Sequence, residues 1–323
     1  MTTQRPVLID GIQITKWDRN EFQKLREGGI DAVHATAAVW EDARRTLDRL
    51  AHWNRLFAEN ADLVLPATSV ADIHRAAESG RTAVILGFQN TAPLEDDPRL
   101  VEVYHRLGIR VMQLTYNVQN LVGGSCYQED KEAGLTPFGL EVISEMNRLN
   151  MLIDCSHVGN RTTREAIDAS AVPIAITHAN PRSFCDKPRN KPDDVLKALA
   201  ARGGMLGLTL YPLFIGGPET SLDAFARMAL DTIDLIGVEH LAIGTDSTCG
   251  WEDPDLVTLR NGRMKLNPPP ASWPRWPTWY EGPQHFSRLR HELSGHGLSE
   301  DELDAVFGDN WMRFLGDALG TEN

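Results

Sequence analysis

The chain has 323 residues and a formal net charge of −13 at pH 7, because 45 Asp and Glu outnumber 32 Lys and Arg. Its apolar fraction of 42% and charged fraction of 24% are ordinary for a globular protein and exclude a disordered or fibrous chain. The acidic balance argues against nucleic acids and anionic membranes as partners, since both would repel the protein.

Short apolar runs alternate along the chain with longer amphipathic stretches. Each run is too short for a helix and apolar on both faces, which is typical of a strand buried between a barrel interior and surrounding helices. The predicted strands are Val7–Asp10, Asp31–Thr36, Ala83–Gly87, Arg110–Thr115, Met151–Asp154, Ile174–Thr177, Gly204–Leu210 and His240–Gly244. The helices predicted between them include Arg19–Glu27, Trp40–Glu59, Val70–Ser79, Gly139–Leu149, Arg161–Ala169 and Asp193–Ala201.

Eight strands that alternate with helices predict an α/β fold, a parallel (β/α)8 TIM barrel, rather than an open doubly wound sheet. No glycine-rich GxGxxG loop follows the first strand, which disfavours a dinucleotide-binding fold. No repeat or domain boundary is evident, so we expect a single barrel domain over residues 1–323. The segment 266–282 is too rich in Pro for a helix or a central strand. A surface loop anchored by its tryptophans, an aromatic lid and a dimer contact are the alternatives for it.

Neither a secretory signal nor a membrane span is expected. The first residues, MTTQRPVLIDG, contain no apolar segment of the kind that a signal needs, and no uncharged apolar run reaches the roughly 18 residues that cross a bilayer. The four cysteines are widely spaced and form no CxxC pair, so we expect reduced thiols. We therefore expect a cytoplasmic protein.

Polar residues cluster at the ends of three predicted strands. The fifth, sixth and eighth strands end in the segments Asp154–His157, Thr177–Asn180 and Gly244–Ser247. Because the carboxyl ends of barrel strands meet at one mouth, His157, His178 and Asp246 could bind a transition-metal ion there. A single His at a strand end is more often a hydrogen-bonded structural residue. Gln89 and Asn90, after the third strand, are poor metal ligands but could hydrogen-bond a substrate.

Several stretches spread over nearly the whole chain carry a resemblance to a known family. They are Ile9–Gly11, Gly108–Thr115, Gly134–Gly139, Met146–Leu149, Leu152–His157, Thr177–Ala179, Arg189–Asp194 and Gly308–Arg313. In order and spacing they resemble the membrane (renal) dipeptidase family of zinc peptidases, which have a metal-dependent barrel of the amidohydrolase type. The resemblance implies a small-molecule substrate and a homodimer.

The resemblance also implies roles for four residues. His157 and His178 match the two histidines that bind the second zinc ion of the family. Arg189 matches the arginine that receives the C-terminal carboxylate of the substrate, although a salt bridge to Asp193–Asp194 is its structural alternative. Asp246 matches the aspartate that activates water and then protonates the leaving amine.

The departures from the family pattern concern the first zinc ion. Ile12 and Ile14 stand where the family has His-x-Asp, Leu86 aligns with its zinc-bridging Glu, and Tyr116 replaces a histidine that contacts the substrate carbonyl. A dinuclear zinc centre should therefore not assemble. The chain also resembles a divergent subgroup with Gly-Phe-Gln-Asn, seen in some siderophore-biosynthesis clusters, for which dipeptidase activity is in doubt.

Three functions remain open from the sequence. The first is a metal hydrolase with one zinc ion at His157, His178 and Asp246, acting on a dipeptide or peptide-like amide with a free carboxylate. The second is a non-hydrolytic tailoring enzyme with little or no metal, with Tyr116 as the acid or base and Arg189 binding a carboxylate. The third is a non-catalytic binding protein on the same scaffold. We expect the first, with at most one zinc ion per chain.

Overall fold

The computed structural model describes residues 6–319, apart from the side chains of residues 129 and 130. The strands in this part of the chain are β1 (Ile9–Gln13), β2 (Ala32–Ala38), β3 (Val64–Pro66), β4 (Thr82–Phe88), β5 (Ile109–Gln113), β6 (Leu152–Asp154), β7 (Ala175–Ala179), β8 (Met205–Leu208) and β9 (Leu241–Ile243). The helices are α1 (Arg19–Glu27), α2 (Ala43–Glu59), α3 (Val70–Glu78), α4 (Leu100–Arg106), α5 (Pro137–Arg148), α6 (Asn160–Ala169), α7 (Asp193–Ala201), α8 (Leu222–Ile236), α9 (Asp253–Asn261), α10 (Phe286–Ser294), α11 (Glu300–Asp304) and α12 (Asn310–Leu319).

Eight of the strands form a parallel barrel in the order β1-β2-β4-β5-β6-β7-β8-β9. The barrel is nearly closed just beyond β1 and β9, where Gln13 pairs with Ser247 and the amide of Ile14 donates to the Ser247 carbonyl at 3.0 Å. Short β3 pairs only with the amino-terminal half of β4. Helices alternate with the strands along the chain, which confirms the predicted (β/α)8 fold.

The predicted strand bounds need correction at two places that matter for the site. β1 runs to Gln13 instead of ending at Asp10, so Ile12 lies inside the strand. β7 continues to Ala179, which places His178 within the last residues of the strand. Buried polar residues explain both differences, because the apolar pattern stops where a polar side chain enters the barrel interior.

Helix bounds follow local capping signals. α1 and α7 have the predicted bounds, whereas α2 begins three residues later than predicted because the Asp42 side chain accepts a hydrogen bond from the Arg45 amide at 2.9 Å. An aspartate in this position fixes the first turn and leaves Trp40 in the preceding loop, beside the mouth of the barrel.

The amino-terminal end of the barrel is filled with apolar side chains. Trp311 of α12 enters it and donates its indole N–H to the Ile243 carbonyl at 2.9 Å. A Cβ atom at Gly11 would lie 2.5 Å from the Trp311 ring, so glycine there makes room for the indole. Because this end is plugged, the polar residues at the carboxyl ends of the strands face the opposite, open end.

Two glycines allow neighbouring strands to approach the Thr177 carbonyl in the barrel interior. A Cβ atom would lie 2.0 Å from this carbonyl oxygen at Gly207 and 1.8 Å from it at Gly244. Because a backbone atom cannot move aside as a side chain can, Gly244→Ala is expected to destabilise the fold by about 3 kcal/mol in urea unfolding.

Gly295→Ala is the matched control for that substitution. Gly295 has a φ of −76°, and a Cβ atom at this position would lie 3.6 Å from its nearest neighbour, which is an ordinary contact. The free energy of unfolding of the Gly295→Ala variant should stay within about 0.5 kcal/mol of the parent value. Equal stability of the two variants would show that the barrel interior at Thr177 can expand.

Candidate active site

A cavity of about 530 Å³ opens at the carboxyl ends of the strands. Tyr116, His157 and Asp246 contribute to its walls, so three positions singled out from the sequence meet here. Its volume lies in the range of sites for small molecules. Trp273, from the Pro-rich segment 266–282, also lines the cavity, and that segment contains neither helix nor strand, as predicted.

His157 and His178 point the same ring nitrogen at one another. Their Nε2 atoms are 3.1 Å apart. The Nδ1 atom of His157 lies 2.8 Å from the side-chain oxygen of Asn117, whose amide nitrogen donates to the Arg260 carbonyl at 3.1 Å. Since a carbonyl can only accept, this contact fixes the Asn117 amide, and Nδ1 of His157 must carry the proton. The lone pair of His157 therefore lies on Nε2.

The protonation of His178 is fixed in the same way by a threonine and an aspartate. The Thr177 hydroxyl donates to Asp154 at 2.8 Å and lies 2.8 Å from Nδ1 of His178. Because the hydroxyl has one proton and gives it to the carboxylate, it accepts the Nδ1 proton of His178. Asp154 is held in turn by the Ser156 hydroxyl at 2.6 Å. His178 also carries its lone pair on Nε2.

The two Nε2 atoms are thus close enough to bind the same metal ion. Two nitrogens bound to one tetrahedral zinc ion, with bonds of about 2.0–2.1 Å, lie about 3.3 Å apart. Partners on both Nδ1 atoms are typical of metal-binding histidines, because they fix the tautomer and the ring orientation. The two histidines therefore fit as two of the ligands of one divalent transition-metal ion.

Burial keeps both rings neutral. Loss of hydration lowers the pKa of His157 and of His178 well below the ordinary value, and the positive charge of Arg189 lowers both further. A neutral imidazole is the form that binds a metal ion. Protonation of one ring would relieve the clash of lone pairs, but the surroundings oppose it.

Asp246 lies at the same mouth but does not complete a group of ligands with the two histidines. Within residues 6–319, no three His, Cys, Asp or Glu side chains are grouped so that they could hold a metal ion. Asp246 has a φ of +56°, a left-handed conformation that aspartate tolerates better than most residues. Burial raises its pKa to about 7, against the opposing charge of Arg189. A carboxyl group with this pKa can both accept and donate a proton at neutral pH.

Tyr116 stacks on the ring of His157, with 4.1 Å between ring centroids and 23° between planes. Burial raises the pKa of the Tyr116 hydroxyl well above its ordinary value, and the nearby Asp246 raises it further. The hydroxyl therefore stays protonated and can donate a hydrogen bond, whereas the predicted role as a base is disfavoured.

Arg189 is completely buried and joins the two segments that carry the histidines. Its guanidinium donates to the Ser156 and His178 carbonyls, each at 2.5 Å, and lies 5.2 Å from the centroid of the Phe214 ring. The predicted alternative of a salt bridge to Asp193–Asp194 is wrong, because Asp193 accepts from Ser183 and Asp194 pairs with Arg164. The contacts of Arg189 favour a positioning role over the reception of a substrate carboxylate.

Comparison with known proteins assigns the family. Residues 10–257, well over half of the chain, match the family described as membrane dipeptidase (peptidase family M19). The chain belongs to this family. It is a dipeptidase-like hydrolase on a (β/α)8 barrel.

Individual relatives agree with this assignment. Dipeptidase aclJ of Aspergillus oryzae is 27% identical over 316 residues, which cover 92% of this chain and 69% of that protein. The crystal structure of an amidohydrolase from Pseudomonas aeruginosa is 35% identical, with a TM-score of 0.93 over 98% of this chain and 97% of that one. A metallopeptidase from Rhodobacter sphaeroides, solved with a phosphinate mimic of the dipeptide L-Ala-D-Ala, shares the fold at 16% identity, with a TM-score of 0.80 over 98% of this chain and 100% of that one.

The positions that differ from the family pattern offer no ligands for another ion. Ile12 is fully buried in the barrel, and Ile14 packs with Tyr116 in an apolar cluster. Leu86 lies inside β4, two residues before Phe88, the last residue of the strand. The apolar side chain of Leu86 cannot replace the carboxylate of the zinc-bridging Glu with which the sequence aligns it.

Gln89 and Asn90 are buried and bonded to the protein instead of facing the cavity. The amide of Gln89 donates to the Thr36 hydroxyl at 2.8 Å, and the side-chain oxygen of Asn90 accepts from Asn120 at 2.9 Å. Neither residue is among those that line the cavity. Their positions do not support the predicted contacts with a substrate.

Three residues of the site were not found from the sequence: Asn117, Thr177 and Arg260. The first two orient the histidines, and Arg260 lines the cavity from the last turn of α9. Thr177 directly precedes His178, and this adjacency is a usable signal. Asn117 and Arg260 are far from either histidine in sequence, and only the folded loops bring them to the site. Separately, none of the helices over the described residues is long and apolar enough to cross a membrane.

Proposed function

We propose that the protein is a metal-dependent amide hydrolase in which His157 and His178 bind one zinc ion and Asp246 carries a proton. The substrate is a dipeptide or a similar small amide with a free carboxylate. The observation that carries this proposal is the 3.1 Å approach of two Nε2 atoms whose opposite nitrogens are both held by hydrogen bonds. The membership of a peptidase family supports amide hydrolysis as the reaction.

The chain's own residues divide the work of this reaction. A bound zinc ion would supply a Lewis acid and would lower the pKa of a bound water. A carboxylate oxygen of Asp246 accepts the proton of the water that attacks the amide carbon, and then returns it to the leaving nitrogen. The protonated hydroxyl of Tyr116, stacked on His157, donates a hydrogen bond to the substrate carbonyl oxygen, where negative charge develops.

The proposal extends to the setting of the enzyme. All four cysteines are free in the structure, in keeping with a reducing compartment such as the cytoplasm. We also propose a homodimer, for which the family resemblance is the sole support.

Zinc analysis is the first test. Protein stripped with a chelator and titrated with zinc against a chromophoric competitor is expected to bind one ion per chain and no more, because Ile12, Ile14 and Leu86 leave no ligands for another. Hydrolysis of a panel of dipeptides and N-acyl amino acids, including those with D-residues, should vanish on stripping and return with one equivalent of zinc. Two tightly bound ions, or none, would contradict the proposal.

Histidine variants locate the ion. His157→Ala and His178→Ala should each abolish stoichiometric binding. His291→Ala is the matched control, because His291 is exposed on α10. This variant should bind zinc and hydrolyse substrate as the parent protein does. Retention of one tightly bound ion in both site variants would place it elsewhere.

A further inference from the structure

The cavity carries positive charge in a strongly acidic protein. Arg260 and Lys265 line it, and Asp246 alone is acidic among the described lining residues. Neither basic residue forms an ion pair with a carboxylate where side chains are described. Many other arginines of the chain are paired, as Arg19 is with Asp62 at 2.6 Å. Unpaired cations in a concave site attract an anionic ligand.

Arg260 is held in place on the wall of the cavity. Its carbonyl accepts the hydrogen bond from Asn117, and the neighbouring carbonyl of Leu259 accepts from the Trp40 indole at 2.7 Å. Its guanidinium lies near the hydroxyl of Tyr211, another lining residue, and counteracts the rise that burial causes in the pKa of that hydroxyl. The N–H groups of its fork suit a carboxylate, to which an arginine binds in a bidentate manner. Arg189, by contrast, is fully buried and occupied by two carbonyls.

Apart from Asp246, no described residue that lines the cavity has a carboxylate that could pair with a free ammonium group. Ile14 and Tyr116 lie in one apolar cluster with Leu259, and all three line the cavity. The proposed function assigns the carboxylate of Asp246 to proton transfer. An ammonium group beside the apolar cluster would lose its hydration without gaining a counter-ion.

We propose that the cavity selects an N-acyl amino acid, or an amide of equivalent charge, with its carboxylate at Arg260 and Lys265 and its uncharged acyl group against the cluster of Ile14, Tyr116 and Leu259. This inference rests on the proposed function and names its substrate class. Among amides with a free carboxylate, it predicts that a blocked amino end is preferred over a free dipeptide.

Non-hydrolysable probes separate binding from reaction. The probes are ketomethylene isosteres, in which a methylene group replaces the amide N–H. They are made from N-acetylphenylalanine (the acid probe), from its primary carboxamide (the carboxamide probe) and from glycylphenylalanine, each as separate enantiomers. Calorimetry with the protein as purified should compare the better-binding enantiomer of the acid probe with the same enantiomer of the other two probes. The acid probe should bind at least about tenfold more tightly than the carboxamide probe or the glycylphenylalanine isostere. The phenyl group suits a cavity lined by aromatic rings such as Tyr127, Tyr211 and Phe214.

Arginine variants assign the carboxylate contact. Arg260→Met should weaken the binding of the acid probe about tenfold or more and leave the affinity for the carboxamide probe unchanged. Arg260→Lys should restore part of the lost affinity. Arg263→Met is the control, because Arg263 is exposed just beyond α9 and does not line the cavity. Thermal unfolding of each variant checks that the fold is intact.

The outcomes distinguish this inference from the proposed function. Equal affinity for the acid and its carboxamide, or no effect of Arg260→Met on that difference, would overturn the anion subsite. Equal or tighter binding of the glycylphenylalanine isostere would overturn the preference for a blocked amino end. Both results are independent of whether one zinc ion binds and whether hydrolysis occurs.

Discussion

Asp246→Asn is expected to lower kcat by about 10³-fold, since removal of a general acid–base group typically costs 10²–10⁴-fold. The amide has nearly the same shape but cannot exchange a proton with water or with the leaving nitrogen. Asparagine also tolerates a φ of +56°, so the backbone of the site should be retained. Steady-state kinetics, with zinc content and circular dichroism measured on the same samples, would detect the change.

Zinc content decides between the two roles of Asp246 predicted from the sequence. Because the two histidines converge without it, the Asn variant should still bind one ion with similar affinity. Loss of zinc together with activity would show that Asp246 is a ligand, and the proton-transfer role would lose its support. Asp168→Asn, an exposed aspartate on α6, is the control and should leave kcat unchanged.

Arg189→Met is expected to lower the free energy of unfolding by about 3 kcal/mol or more. The substitution leaves the Ser156 and His178 carbonyls buried without their charged donor, and each buried unsatisfied group costs about 1–3 kcal/mol. Zinc affinity should fall as well, because the same carbonyls belong to the segments that carry the two histidines. Urea unfolding and zinc titration would measure the two effects.

The family resemblance predicts a different outcome for the same substitution. If Arg189 receives the substrate carboxylate, Arg189→Met should bind the isostere of N-acetylphenylalanine weakly, while its free energy of unfolding stays nearly unchanged. Arg164→Met is the control for stability, because this half-exposed arginine pairs with Asp194 at the surface and should contribute less than about 1 kcal/mol.

The sequence predicts the fold and the meeting of the two histidines for a definite physical reason. Parallel strands that alternate with helices close into a barrel, and the ends of β6 and β7 are neighbours in it, so His157 and His178 must come close together. This prediction needs only the order of the elements.

The other parts of the site depend on loop conformation, which periodicity does not describe. Asn117, which contacts His157, itself has a φ of +56°. Arg260 reaches the cavity from α9, more than a hundred residues after both Asn117 and His157 in the sequence. The apolar pattern ends β1 too early for a related reason. Asp10 and Gln13 look like the end of an apolar run, but they hydrogen-bond each other at 2.8 Å inside the barrel, and the strand continues through them.

Two hydrogen bonds through the side chain of Asn117 connect the basic side of the cavity to His157. The carbonyl of Arg260 holds Asn117, and Asn117 holds the tautomer of His157 that presents its lone pair to an ion. An anion that restrains the last turn of α9 would therefore also restrain the imidazole, and we expect the two binding equilibria to be coupled. Such a coupling is reciprocal: whatever factor the anion adds to the affinity for zinc, zinc adds to the affinity for the anion. An enzyme built this way would hold its metal most tightly when its substrate is present.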